Sequence, residues 1–336
     1  MWRRVLGIIG LVVAGFVAVV VILALLPAGI DGLGPHPQPV ATYAAAKAAV
    51  QAEDAAEAKA GVPPVCRSRL LDPGKRVARV VVLLHGLGNC PAQMVPLGRE
   101  FRREGDAVYI PLAPAHGLPG GVSELGALSA EGLRDYADRS VDIADGLGRQ
   151  VDVVGLSMGG MLASWIAQHR ADVHRSVIAA PAFRMGVVPS WVTDSVVNVF
   201  SRVPGITIPA VSGEALPHGY PPGDNTRAIA EMFGLARYVT VSGVPLANPK
   251  VQLAGLLNAN DTTVSNEAAQ DFFDAERRAG HPVREVLLPE SLGLPHDTID
   301  AAQPTARTDV VYPIIVALAD GTRLPPLPPG TVVTPR

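Results

Sequence analysis

Ser157 stands in Gly155-Leu156-Ser157-Met158-Gly159, a G-x-S-x-G run. The setting of the pentapeptide says more than the pentapeptide. A β-branched stretch, residues 151–154, leads into it, and a helical pattern, residues 158–170, leads out. A strand-to-helix turn that sharp holds the serine in a strained backbone conformation, and glycines two before and two after let the neighbouring backbones approach. The hydroxyl then projects from the carboxyl end of a strand beside a helix N-terminus. A serine so placed is a nucleophile, provided that a base takes its proton and an acid orients the base.

In such a setting the expected chain order is Ser, then Asp or Glu, then His. Five histidines follow Ser157. His169 and His174 lie on or just after the helix that the serine opens, His218 lies in an irregular stretch, and His281 precedes a strand. Only His296 follows a strand, residues 283–288, through the loop PESLGLPHD. Active sites of parallel sheets lie at the carboxyl ends of the strands, so His296 is the expected base. Asp261 is the acidic residue between strand 251–257 and the next helix, and it is the expected partner of His296. It could instead cap that helix. Asp297, beside His296, is a weaker alternative, because an adjacent carboxylate reaches its neighbour's ring poorly.

A tetrahedral intermediate needs two N–H donors. One is expected from Met158, directly after the nucleophile. The other is expected from Leu87, in the His85-Gly86-Leu87-Gly88 loop after strand 77–84. His85 and His116 read as structural hydrogen-bonding residues. Gly86, Gly155 and Gly159 read as the small residues that the turn and the loop require.

The elements that must position these residues alternate. The strands are residues 77–84, 107–110, 151–156, 176–180, 251–257 and 283–288. The helical patterns between and after them are residues 91–104, 129–149, 158–170, 264–279 and 309–319. Strand and helix in alternation predict an α/β fold with a doubly wound, mostly parallel sheet. Residues 184–248, rich in Pro and Gly, interrupt the rhythm and are expected to form a helical cap insertion over one end of the sheet.

At this point the chain resembles the α/β-hydrolase fold serine hydrolases, in the capped branch of monoacylglycerol lipases and carboxylesterases. The matching stretches are LLHGLG at 83–88, GLSMGG at 155–160, NANDTTV at 258–264 and LPHD at 294–297. The resemblance covers about residues 70–320. It implies an acyl-enzyme on Ser157, Asp261 and His296 as its relay, and residues 184–248 as the cap. The expected activity is hydrolysis of lipid-like or medium-chain acyl esters. Acyl transfer or thioester cleavage at the same site is one alternative, and an inactive hydrolase-like envelope binding module is the other. The family often carries a longer N-terminal β-meander than the ten residues found here, so the sheet is expected to be shorter at one edge.

Residues 5–26 carry no charge and follow Arg3-Arg4. As a helix the run is about 33 Å long, enough for a hydrocarbon core of about 30 Å. An uncleaved membrane anchor is expected, with the N-terminus in the cytoplasm and the catalytic domain on the extracytoplasmic side. A cleaved signal peptide, which would release the enzyme, is the alternative. Residues 27–65 read as a linker and an Ala-rich helix, residues 66–322 as the hydrolase domain, and residues 323–336 as a Pro-rich tail unable to form a helix or a central strand.

The chain has 336 residues, 48% hydrophobic and 18% charged, which excludes a disordered protein. With 28 basic and 31 acidic residues the net charge is −3, which argues against a nucleic-acid partner. No metal motif and no phosphate-binding glycine loop is present, so no metal and no cofactor is expected. The 2 cysteines, Cys66 and Cys90, are expected to form a disulfide if the domain faces an oxidising compartment. Two buried thiols or a reactive Cys90 are the alternatives.

Overall fold

A computed structural model describes residues 2–29, 31–209, 217–219, 223–241 and 245–334. Met1, Ile30, Pro335, Arg336 and three stretches of the expected cap (210–216, 220–222 and 242–244) lie outside them. In chain order the elements begin with α1 (Trp2–Leu25), α2 (Tyr43–Lys59), β1 (Arg69–Leu71), β2 (Val77–Leu84), α3 (Val95–Arg103) and β3 (Ala107–Ile110). There follow α4 (Ala130–Leu147), β4 (Gly148–Leu156), α5 (Met158–His169) and β5 (Val173–Ala179). The segment expected to form the cap holds α6 (Ser190–Phe200), β6 (Thr207–Ile208), β7 (Asp224–Asn225) and α7 (Thr226–Val241). The chain closes with β8 (Gln252–Asn258), α8 (Asn266–Arg278), β9 (Val283–Leu288), α9 (Thr308–Asp320) and β10 (Val332–Thr334).

An 8-stranded sheet runs in the order β1-β3-β2-β4-β5-β8-β9-β10. Its six inner strands are parallel, and the edges β1 and β10 are antiparallel to their neighbours. The continuous apolar runs follow from this position. Val80 to Leu84 are fully buried because helices cover both faces of the central strands. On one side only the three-residue β1 extends the sheet beyond β3, which agrees with the expected short edge.

The differences from the sequence reading have local causes. The helix expected at 129–149 stops at Leu147 because Gly148 already pairs with Val77 of β2. The stretch 91–104 splits into a 3-10 turn, Pro91–Gln93, and α3. The helix expected from residue 264 begins at Asn266, where Ser265 caps it by accepting the Ala268 N–H at 3.2 Å. Strand β5 starts three residues earlier than residue 176, so His174 lies on a strand and not after a helix. The Pro-rich tail supplies β10, an edge strand, as its prolines permit.

Cys66 and Cys90 are joined by a disulfide, with Cα atoms 5.1 Å apart. It ties the segment before β1 to the loop after β2. Closing a loop with a sequence separation of 24 constrains the unfolded chain by about 3.5 kcal/mol on the chain-entropy model. A Cys66→Ser/Cys90→Ser protein is therefore expected to unfold at lower denaturant concentration by an amount equivalent to about 2–4 kcal/mol, read from urea unfolding of the two proteins at equal m-value.

Candidate active site

Ser157 has φ 59° and ψ −115°, a conformation outside the regions that L-residues favour. Three backbones converge to hold it there. A Cβ added at Gly155 would lie 1.9 Å from the Gly159 carbonyl oxygen, and one at Gly159 would lie 2.0 Å from the Leu84 carbonyl oxygen. Hydrogen bonds fix the turn from both sides. The Ser157 N–H donates to Ala179 O at 3.0 Å, and Ser157 O accepts from Met161 at 2.9 Å and Ala182 at 3.0 Å. The serine thus opens α5, whose first N–H groups have no partner within the helix.

Asp261 follows β8 in a tight turn. Its Oδ1 accepts the N–H groups of Thr263 at 2.9 Å and Val264 at 3.1 Å, an Asx-type arrangement. Its Oδ2 takes the Nδ1–H of His296 at 2.7 Å, with both side chains buried. Helix capping is left to Ser265, so the carboxylate serves the imidazole. That bond sets the tautomer and leaves Nε2 as the basic nitrogen. Ser157, His296 and Leu87 line one cavity of about 120 Å³. The cap contributes Met185 and, from α7, Ile229, Met232 and Phe233, so its walls are largely apolar. A larger cavity of about 660 Å³, between the cap and α8, holds none of Ser157, Asp261 and His296.

The other histidines are occupied elsewhere. His85 sits fully buried under the loop, with Nδ1 on Gly86 O at 2.9 Å and Nε2 accepting the Ala113 N–H at 3.0 Å. His116 accepts the Gly88 N–H at 2.9 Å and places Nδ1 on Pro114 O at 2.8 Å. His169 stacks on Trp165, and His281 bonds Glu276 at 2.7 Å. His174 lies beside Asp152, and His218 beside Asp300.

Sequence reasoning missed the residues that join the loops. Gln93 Oε1 accepts the Gly86 N–H at 2.9 Å while its Nε2 donates to Asp297 Oδ2 at 2.7 Å. Asp297, weighed as an acid for His296, instead links the histidine loop to the loop after β2. Asn258, the last residue of β8, donates to Leu294 O and Pro295 O, both at 3.0 Å. A polar residue ending an apolar strand was the signal for Asn258. Nothing in the spacing of Gln93 and Asp297 marked their pairing.

A family model for the alpha/beta hydrolase family matches residues 81–327. The chain belongs to this family. A thermostable monoacylglycerol lipase of Bacillus sp. (strain H-257) is 25% identical over 178 residues, 51% of this chain and 53% of that protein, so the chain spans about half the length of this relative. The monoacylglycerol lipase of Paleococcus ferrophilus aligns with TM-score 0.51 and 17% identity, covering 66% of this chain and 88% of that one. A structure of the metagenome-derived lipolytic enzymes LipS and LipT aligns with TM-score 0.50 and 20% identity, covering 64% and 84%. These likenesses establish the fold.

Burial holds His85 and His116 neutral, lowering the first from 6.5 to about 3 and the second to about 4. The unfolded chain binds these protons at ordinary values. The unfolded state therefore carries more protons between about pH 6.5 and 4, and stability falls as pH falls through that window. Urea midpoints at pH 7 and pH 5 should show the loss, and His116→Gln should reduce the slope by about one proton.

Proposed function

We propose that the protein cleaves carboxylic esters of lipid-like or medium-chain acyl groups through an acyl-enzyme on Ser157. The observation that carries the reading is the 2.7 Å bond from His296 to Asp261 in the loop beside a positive-φ serine that lines the same cavity. His296 Nε2 takes the Ser157 proton as the hydroxyl attacks the ester carbonyl. The imidazolium then protonates the leaving alcohol, and the neutral imidazole activates the water that frees Ser157. Asp261 holds the ring and stabilises its charged form.

The oxyanion rests on the N–H groups of Met158 and Leu87. Elimination supports Leu87. In the loop after β2, the Gly86 N–H is committed to Gln93, that of Gly88 to His116, that of Asn89 to Gly86 O at 3.2 Å and that of Cys90 to Asn89 Oδ1 at 2.9 Å. Among the described residues of that loop, Leu87 is the amide with no such commitment. The apolar walls from α7 favour an acyl chain over a charged substrate, as does the lipase relative.

A fluorophosphonate should label the protein once, at Ser157. Ser157→Ala should abolish labelling and ester turnover with the fold retained. His296→Ala should lower kcat by about 10⁴–10⁶, and Asp261→Asn by about 10⁴ or less. Normal turnover by Ser157→Ala would overturn the mechanism. A wild-type protein that neither labels nor turns over esters would favour an inactive binding module.

A further inference from the structure

Two polar side chains of the cap are used by the end of the apolar helix and by no step of the reaction. Asn198 of α6 is 5% exposed. Its Nδ2 donates to Ala24 O at 2.8 Å, and its Oδ1 accepts the Ala28 N–H at 2.9 Å. Arg202, just past α6, donates from Nη1 to Leu26 O at 2.8 Å and from Nη2 to Pro27 O at 2.6 Å. Four hydrogen bonds thus grip residues 24–28, where α1 ends. Removing that segment would take the Ala24 carbonyl from the Asn198 Nδ2 and leave its Oδ1 only a long contact, 3.4 Å, from Arg237 Nη1, and a poorly paired buried amide is a cost that native folds avoid.

We propose that α1 is retained as an anchor, and that this clasp seats the cap helix α6 on the surface of the lipid bilayer. The 21 residues Val5–Leu25 have the composition and length of a membrane span, about 31 Å at 1.5 Å per residue. Residues 24–28 therefore lie where hydrocarbon gives way to headgroups. A side chain within 3 Å of their carbonyl oxygens lies at the same level, and α6 with it. The exposed apolar residues of α6 and its flanks suit that level. Trp191 is seven residues before Asn198, two helical turns along the same face, and is 66% exposed. Val187 is 78% exposed and Ile206 57%. Tryptophan favours the bilayer interface. Helix α6 in turn packs on α7, which lines the cavity, so the lipid surface lies one helix layer from the site.

The experiment uses the full chain in phosphatidylcholine vesicles. The tryptophans are Trp2, Trp165 and Trp191. A Trp2→Phe protein retains Trp165, which is fully buried, and Trp191. Lipids brominated near the headgroup should quench its fluorescence, and a further Trp191→Phe change should remove the quenchable part. The mass of the membrane-bound protein should show residues 24–28 present. Arg202→Ala, at an exposed position, should reduce quenching at least twofold. It should also lower turnover of an ester held in the vesicles relative to a soluble short-chain ester. A fluorophosphonate label on Ser157 reports separately that the variant is folded and reactive. A mature chain beginning after residue 28 would overturn the proposal, as would absent quenching at Trp191, or quenching and turnover ratio unchanged in Arg202→Ala.

Discussion

The structure depends on a crossing of three backbones with no room for a Cβ. Strand β4 ends, helix α5 begins and strand β2 passes alongside, and at Gly155 and Gly159 the contacts are closer than any side chain allows. The turn between them leaves Ser157 at φ 59°. The ends of β2 and β4 nearest the crossing are buried, and of α5 only His169 reaches solvent appreciably. Strain at one residue persists because the surrounding packing over-determines it.

The loops that complete the site are held by polar contacts between segments far apart in sequence. Gln93 spans from the Gly86 amide to Asp297, and Asn258 spans from β8 to the carbonyls just before His296. These bonds lock the relative positions of the loop after β2, the acid turn and the histidine loop. The disulfide adds a covalent tie at Cys90, three residues beyond Leu87.

Most of the fold was legible because the signals were local. Strands 77–84, 107–110 and 283–288 match residue for residue, since strands buried on both faces are written as apolar stretches with few polar interruptions, Arg79 in the first and Arg284 and Glu285 in the last. The pairing of Asp261 with His296 was legible from chain order and from the rule that chemistry gathers at strand carboxyl ends. Helix starts were less so, because Ser265 competes with Asp261 for the same cap and the sequence does not rank them. The Gln93–Asp297 link was illegible, since two polar residues 204 positions apart carry no mark of meeting. The clasp on residues 24–28 was hidden for the same reason, as Asn198 and Arg202 read as ordinary polar residues of an irregular insertion.

Both edges of the sheet are three-residue strands running against their neighbours, β1 on one side and β10 on the other. The consequence is colloidal. A sheet edge is a template for another chain in proportion to its length and straightness. Here each edge offers at most a few unpaired peptide groups. Pro325, Pro326, Pro328 and Pro329 run into one of them, and a proline has no amide hydrogen to lend to a foreign strand. Copies of this protein crowded together would find little backbone through which to aggregate.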